Sequence, residues 1–201
     1  MSEANQLELN KGDNIIFAAD VSRSMGTKDC PGNMARIDYM KEGLRTFATE
    51  AAKYDTDGID LITFGVDITV KPKLTAEAAG EIITSLAANE GATDTAGAIS
   101  KAWSLHKQGG YEQTVLMVAT DGEPSDESAV FKTIAEITHN LTKGEHEFAI
   151  SFLTVGVRSP GLQAFLTKLD DALPGAKYDI VDVKEFDKVN FAQAFDGALH
   201  D

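Results

Sequence analysis

Apolar positions recur along this chain in two rhythms, continuous runs and three-to-four-residue spacings, and the two alternate. NIIFAAD (Asn14–Asp20) is a short apolar run. After the turn-rich VSRSMGTKDCPGN, the positions Ile37, Met40, Leu44, Phe47 and Ala51 fall on one face of a helix predicted from about Met34 to Lys53. GIDLITF (Gly58–Phe64) and VDITVKP (Val66–Pro72) alternate apolar and polar residues on either side of Gly65. So short a break between two alternating segments predicts a hairpin, with Pro72 suited to the end of an edge strand. A polar helix is expected over about Ala76–Leu86, and another over about Thr95–His106, stopped by Gly109 and Gly110. TVLMVATD (Thr114–Asp121) and FAISFLTVGV (Phe148–Val157) are apolar throughout, as strands covered on both faces must be. Helices are predicted over Glu127–Leu141, capped by Ser125 or Asp126, and near Leu162–Leu169. A last strand, YDIVDV (Tyr178–Val183), precedes a helix near Phe186–Leu199.

Strand–helix alternation at this spacing predicts an α/β fold. Its core is a doubly wound, Rossmann-like, mostly parallel six-stranded sheet with one antiparallel edge strand and helices on both faces. With no internal repeat, low-complexity tract or linker, residues 13–201 read as one domain after an N-terminal tail over 1–12.

The chain has 201 residues and a formal charge of −14, from 18 Lys+Arg against 32 Asp+Glu. Such an excess of carboxylates argues against nucleic acid or an anionic membrane surface as partner, and favours cations. MSEANQLELNKGDN has no basic stretch followed by an apolar run, so it does not read as a secretory signal. No window approaches the length of apolar residues that spans a bilayer. Cys30 is the single cysteine, which rules out an intrachain disulfide; in the polar TKDCPGN it reads as an incidental exposed thiol. A cytoplasmic protein is the expectation.

Ligands of open parallel sheets bind outside the carboxyl ends of the strands, where the strand order reverses. Three segments predicted at that edge are rich in oxygen donors: Asp20-Val21-Ser22-Arg23-Ser24, Gly91-Ala92-Thr93-Asp94-Thr95 and Asp121-Gly122-Glu123. They offer no imidazole or thiolate, and an all-oxygen site selects a hard divalent cation. In D-x-S-x-S the alternation lets Asp20, Ser22 and Ser24 face one point. Asp94 is expected to cap the following helix, and Glu123 and Asp126 to solvate or cap. Arg158, after a strand end, belongs to the same edge as part of a simple turn. Glu145-His146-Glu147 reads as an exposed loop, and the histidines show no H-E-x-x-H spacing.

Asp20, Ser22 and Ser24 match the D-x-S-x-S signature of von Willebrand factor type A domains, which the chain resembles over about residues 13–200. Thr93 matches the threonine of that family's G-x-T segment and Asp121 the aspartate of its T-D-G turn. Together they look like a metal-ion-dependent adhesion site. The resemblance implies that the hydroxyls of Ser22, Ser24 and Thr93 bind Mg2+ or Mn2+, with Ca2+ as a third hard cation, while Asp20 and Asp121 act largely through water. It further implies a non-enzymatic protein-binding module, in which an Asp or Glu of another protein completes the coordination. Bacterial, stand-alone relatives work as intracellular adaptors with AAA+ ATPases or stress-response systems. Two features depart from the commonest pattern: Arg23 stands where glycine is frequent, and TKDCPGNMA lengthens the loop after the signature. The competing reading is a Mg2+-dependent phosphotransfer enzyme with Asp20 as phosphoacceptor. Against it stand the absence of a second carboxylate two residues on, of a lysine in TVGV, and of P-loop, G-x-G-x-x-G and G-x-S-x-G motifs.

Overall fold

The computed structural model describes residues 13–190, apart from 54, 56, 90 and 172, together with 193 and 194. The expected tail over 1–12 lies outside the described residues, as does half of the helix expected near Phe186–Leu199. Phe186 itself lies in the turn after the last strand.

Six strands form one sheet: β1 (Asp13–Asp20), β4 (Ile59–Phe64), β5 (Ile68–Leu74), β6 (Gln113–Thr120), β7 (Phe148–Thr154) and β8 (Val181–Glu185). Their order is β5-β4-β1-β6-β7-β8. All neighbours are parallel except β4 and β5, which form the expected hairpin at one edge. The chain leaves β1 toward β4 and β5, then crosses back to β6 on the other side. The strand order therefore reverses between β1 and β6, and the crevice at their carboxyl ends is the binding position of this topology.

Helices α1 (Arg36–Ala51) and α2 (Ala76–Ser85) cover one face; α3 (Thr95–Gly109), α4 (Glu127–Asn140) and α5 (Pro160–Asp171) cover the other. Alternate residues of β1 serve the two cores: Ile15, Phe17 and Ala19 pack toward α1, Ile16 and Ala18 toward α3. Double coverage is why β1 and β6 read as unbroken apolar runs. Asp94 caps α3 by accepting from Gly97 N at 2.8 Å, and Asp126 caps α4 by accepting from Ala129 N at 2.9 Å.

Edge strand β5 carries Pro72 inside its span rather than at its end, because the β4–β5 ladder shifts register there. Lys73 N, released by that irregularity, donates to Asp60 Oδ1 at 2.9 Å.

Three local expectations are corrected. The segment after the signature is not a plain loop: β2 (Lys28–Cys30) and β3 (Met34–Ala35) form a small antiparallel hairpin, so α1 begins at Arg36. That hairpin turns Cys30 inward, where it joins the α1-side core and burial pushes its thiol pKa up. Cys30 is therefore not the exposed thiol that its polar surroundings suggest. Glu147 is likewise buried, because its carboxylate accepts from Thr142 N at 2.6 Å and Lys143 N at 2.7 Å, closing the turn before β7.

Candidate metal centre

The site is assembled by strand register. β1 and β6 run in step, Ala19 opposite Ala119, so Asp20 meets Thr120 at the shared carboxyl end. Thr120 donates its hydroxyl to Asp20 Oδ2 at 2.6 Å, and Ser22 N donates to Asp20 Oδ1 at 2.8 Å. Both carboxyl oxygens are thus occupied within the protein. Asp20 is 0% exposed, and burial, acting against these hydrogen bonds, pushes its pKa up to about 6.

The chain then turns through a single 3-10 turn, Arg23–Gly26, which brings Ser22 Oγ within 3.2 Å of Ser24 Oγ. One hydrogen bond between two hydroxyls leaves lone pairs on each for a further ligand. Ser22 is buried, while Arg23 between the two serines is exposed. Val21 anchors the neighbouring loops: its N–H donates to Phe64 O at 2.8 Å, and its carbonyl accepts from Asn89 N at 2.7 Å.

Thr93 is held by two bonds to the β6–α4 loop, Thr93 N to Ser125 Oγ at 2.8 Å and Ser125 N to Thr93 O at 3.0 Å. Its neighbour Asp94 donates N–H to Gly65 O at 3.4 Å. These links tie the segment before α3 to the carboxyl ends of both β4 and β6. Of the two cap candidates before α4, Asp126 caps and Ser125 serves Thr93.

Asp121 follows β6 and is buried at 2% exposure. Its Oδ2 is paired with Arg36 Nη1 at 2.8 Å. Arg36 also grips Asp29 with two bonds, Nε to Oδ1 at 2.9 Å and Nη2 to Oδ2 at 2.6 Å. Asp29 Oδ2 accepts in addition from Val157 N at 3.2 Å. The guanidinium holds the Asp29 carboxyl below the usual carboxylate range, and these partners hold Arg36 firmly protonated. Gly156 makes room for this packing: its φ is +84°, and a Cβ there would collide with Arg36 Nε. The β2–β3 hairpin is thereby clamped to the loops after β6 and β7.

Arg36 and Asp29 are the residues that sequence reading misses. Nothing in the local pattern joins Arg36 to Asp121, 85 positions away. The only available signal is the lengthened loop that contains Asp29. Arg158, placed at this edge in a turn, does belong to it: its guanidinium donates to Thr154 Oγ1 at the end of β7. Glu123 N lies 3.4 Å from Asp121 Oδ1, a contact through its backbone rather than its carboxylate.

The donor set expected from the sequence is two carboxylates and three hydroxyls, and among the described residues no three His, Cys, Asp or Glu side chains cluster as a cation site. That composition fits a hard cation held by neutral oxygens with carboxylates behind them.

No curated protein matches the chain. Solved structures share its fold. The SpRpn10 VWA domain is 14% identical with a TM-score of 0.62, over 91% of this chain and 93% of that one. A von Willebrand factor type A protein from Catenulispora acidiphila is 18% identical with a TM-score of 0.62, over 92% of this chain and 40% of that one. The manganese-loaded TRAP protein of Plasmodium vivax is 13% identical with a TM-score of 0.62, over 88% of this chain and 70% of that one. The sequence pattern of the von Willebrand factor type A domain matches residues 15–123, a span that runs from β1 through the hydroxyl-bearing turns to Asp121 and Glu123. With that match over more than half of its length, the chain belongs to the von Willebrand factor type A domain family.

Proposed function

We propose that this chain is a metal-dependent protein-interaction module. In this reading Ser22, Ser24 and Thr93 offer their hydroxyls to Mg2+ or Mn2+, and Ca2+ can occupy the same oxygen set. Asp20 and Asp121 neutralise the cation from behind, through water. A carboxylate of a partner protein completes the coordination. One observation carries the proposal: both carboxylates at the crevice are already held inside the protein, by Ser22 N and Thr120 for Asp20 and by Arg36 for Asp121. The paired serine hydroxyls retain lone pairs. A cation met mainly by neutral hydroxyls keeps much of its charge, and that residual charge attracts an external Asp or Glu. The manganese-loaded Plasmodium protein of the same fold is in keeping with this reading.

The geometry disfavours Asp20 as a phosphoacceptor. A carboxylate that attacks phosphorus needs an accessible oxygen, and Asp20 is fully buried with both oxygens occupied. A partner among AAA+ ATPases or stress-response components, met in the cytoplasm, is the setting that the family resemblance suggests. Among the described residues no helix is long and apolar enough to cross a membrane.

The test is Mn2+ binding followed by electron paramagnetic resonance. Ser22→Ala is expected to lower Mn2+ affinity by about tenfold or more, with an unchanged melting temperature in EDTA. Wild-type Mn2+ affinity in that variant would refute the assignment.

A further inference from the structure

Among the described residues two large apolar side chains stand exposed, Val66 at 58% and Val157 at 69%. Single exposed apolar residues are ordinary on protein surfaces. The placement of these two is not. Val66 lies in the turn after β4 and Val157 in the loop after β7, so both rim the carboxyl edge of the sheet. In the order β4-β1-β6-β7 the crevice between β1 and β6 is midway between them.

Neighbouring strands are about 4.8 Å apart, so the ends of β4 and β7 are separated by roughly 14 Å. An extended peptide advances about 3.4 Å per residue, and every second side chain points to the same side. Residues two before and two after a central position therefore share its face and lie roughly 14 Å apart. We propose that this edge takes an extended acidic segment of a partner protein, with apolar side chains two residues to either side of its central carboxylate. The segment crosses the strand ends from β4 to β7. Its carboxylate enters over the β1/β6 crevice and its apolar side chains rest on Val66 and Val157. The inference deepens the metal-dependent reading above and rests on it.

Both valines are backed by fixed structure. Val66 packs over Gly91, where a Cβ would collide with its Cγ2. Val157 is held through its N–H by Asp29, itself gripped by Arg36. Charge complements the same occupant. Arg36 is spent on Asp29 and Asp121, but Arg23 is exposed between Ser22 and Ser24, where an acidic segment entering the crevice would pass it.

The test uses labelled seven-residue peptides and fluorescence polarisation with saturating Mn2+. One has aspartate at its centre, leucine two residues to each side and serine elsewhere; a second moves the leucines to the adjacent positions; a third replaces the central aspartate by asparagine. The first is expected to bind at least tenfold more tightly than the second. Val66→Ser/Val157→Ser, at two exposed loop positions, is expected to abolish that preference. Equal binding of the first two peptides, a preserved preference in the double variant, or no binding of the first would overturn the docking surface. Binding of the asparagine peptide equal to the first, or binding that survives EDTA, would instead overturn the metal-dependent reading beneath it.

Discussion

Arg36 is placed by the chain at the first turn of α1, yet its guanidinium closes the candidate site from the far side. It spans two carboxylates, Asp29 and Asp121, and only a planar fork of donors can do this with three bonds. The partnership has a direct energetic consequence. Asp121 is nearly inaccessible, so removing Arg36 leaves a buried charge without its ion pair. Arg36→Met is expected to cost about 3 kcal/mol of unfolding free energy in urea titrations with EDTA present. Arg36→Lys should not restore it, because one ammonium cannot grip both acids. A methionine variant with the urea midpoint of the wild type would show that the clamp contributes nothing to stability. Asp20 and Asp121 stood out in the sequence as strand-end acids beside hydroxyls. Their distant partners did not, since Thr120 reaches Asp20 only when β1 and β6 align, and Arg36 reaches Asp121 only when α1 packs beside the sheet.

The elements follow local rules closely, and their departures are informative. α3 and α4 begin where aspartates accept from the amide three residues on, and Gly110 ends α3 in a left-handed conformation. Asp126 lies outside the candidate donor set, so Asp126→Ala isolates the cap. The expected loss is about 1 kcal/mol, measured by thermal unfolding, with Mn2+ affinity retained. A loss near zero would indicate that water satisfies the free amide equally well. The hairpin β2–β3 is the element that periodicity does not reveal. Five residues of strand are too few to carry an alternating signal, and Pro31 and Gly32 read as turn formers in any context. Its structure comes instead from what it covers: Cys30 and Ala35 are buried against the α1-side core, and Asp29 is drawn to Arg36. A thiol that reads as exposed in TKDCPGN is buried for that reason.

At the scale of the whole molecule, acids are unevenly distributed in their consequences. Most of the 32 carboxylates solvate surfaces, but the amino edge of the sheet holds one that opposes folding. Asp55 accepts from Ile15 N at 3.0 Å, and burial together with the facing Asp57 carboxyl pushes its pKa up to about 7. In the unfolded chain an aspartate titrates near ~3.9. Between these values the folded protein keeps a proton that the unfolded chain has released, so this group's contribution to stability is full below about pH 4 and falls as pH rises toward 7. Asparagine can accept the same bond without charge. Asp55→Asn is expected to melt at a higher temperature than the wild type at pH 8, and the gap should close toward pH 4. A gap independent of pH would refute the linkage.

The sequence by itself determined the alternation of strands and helices, the antiparallel edge hairpin, the caps of α3 and α4, and the family. Each of these depends on residues close in the chain or on a spaced motif: unbroken apolar runs where both faces are covered, three-to-four-residue spacing where one is, and D-x-S-x-S with Thr93 and Asp121. Tertiary structure alone decided that β1 and β6 stand side by side in register, so that Thr120 secures Asp20. It also decided that a hairpin folds back to bring Asp29 and Arg36 onto Asp121, and that Val66 and Val157 flank one crevice. These are contacts between segments tens of residues apart, set by strand order and by the covering of the sheet. No local propensity encodes a neighbour that only the packed sheet supplies.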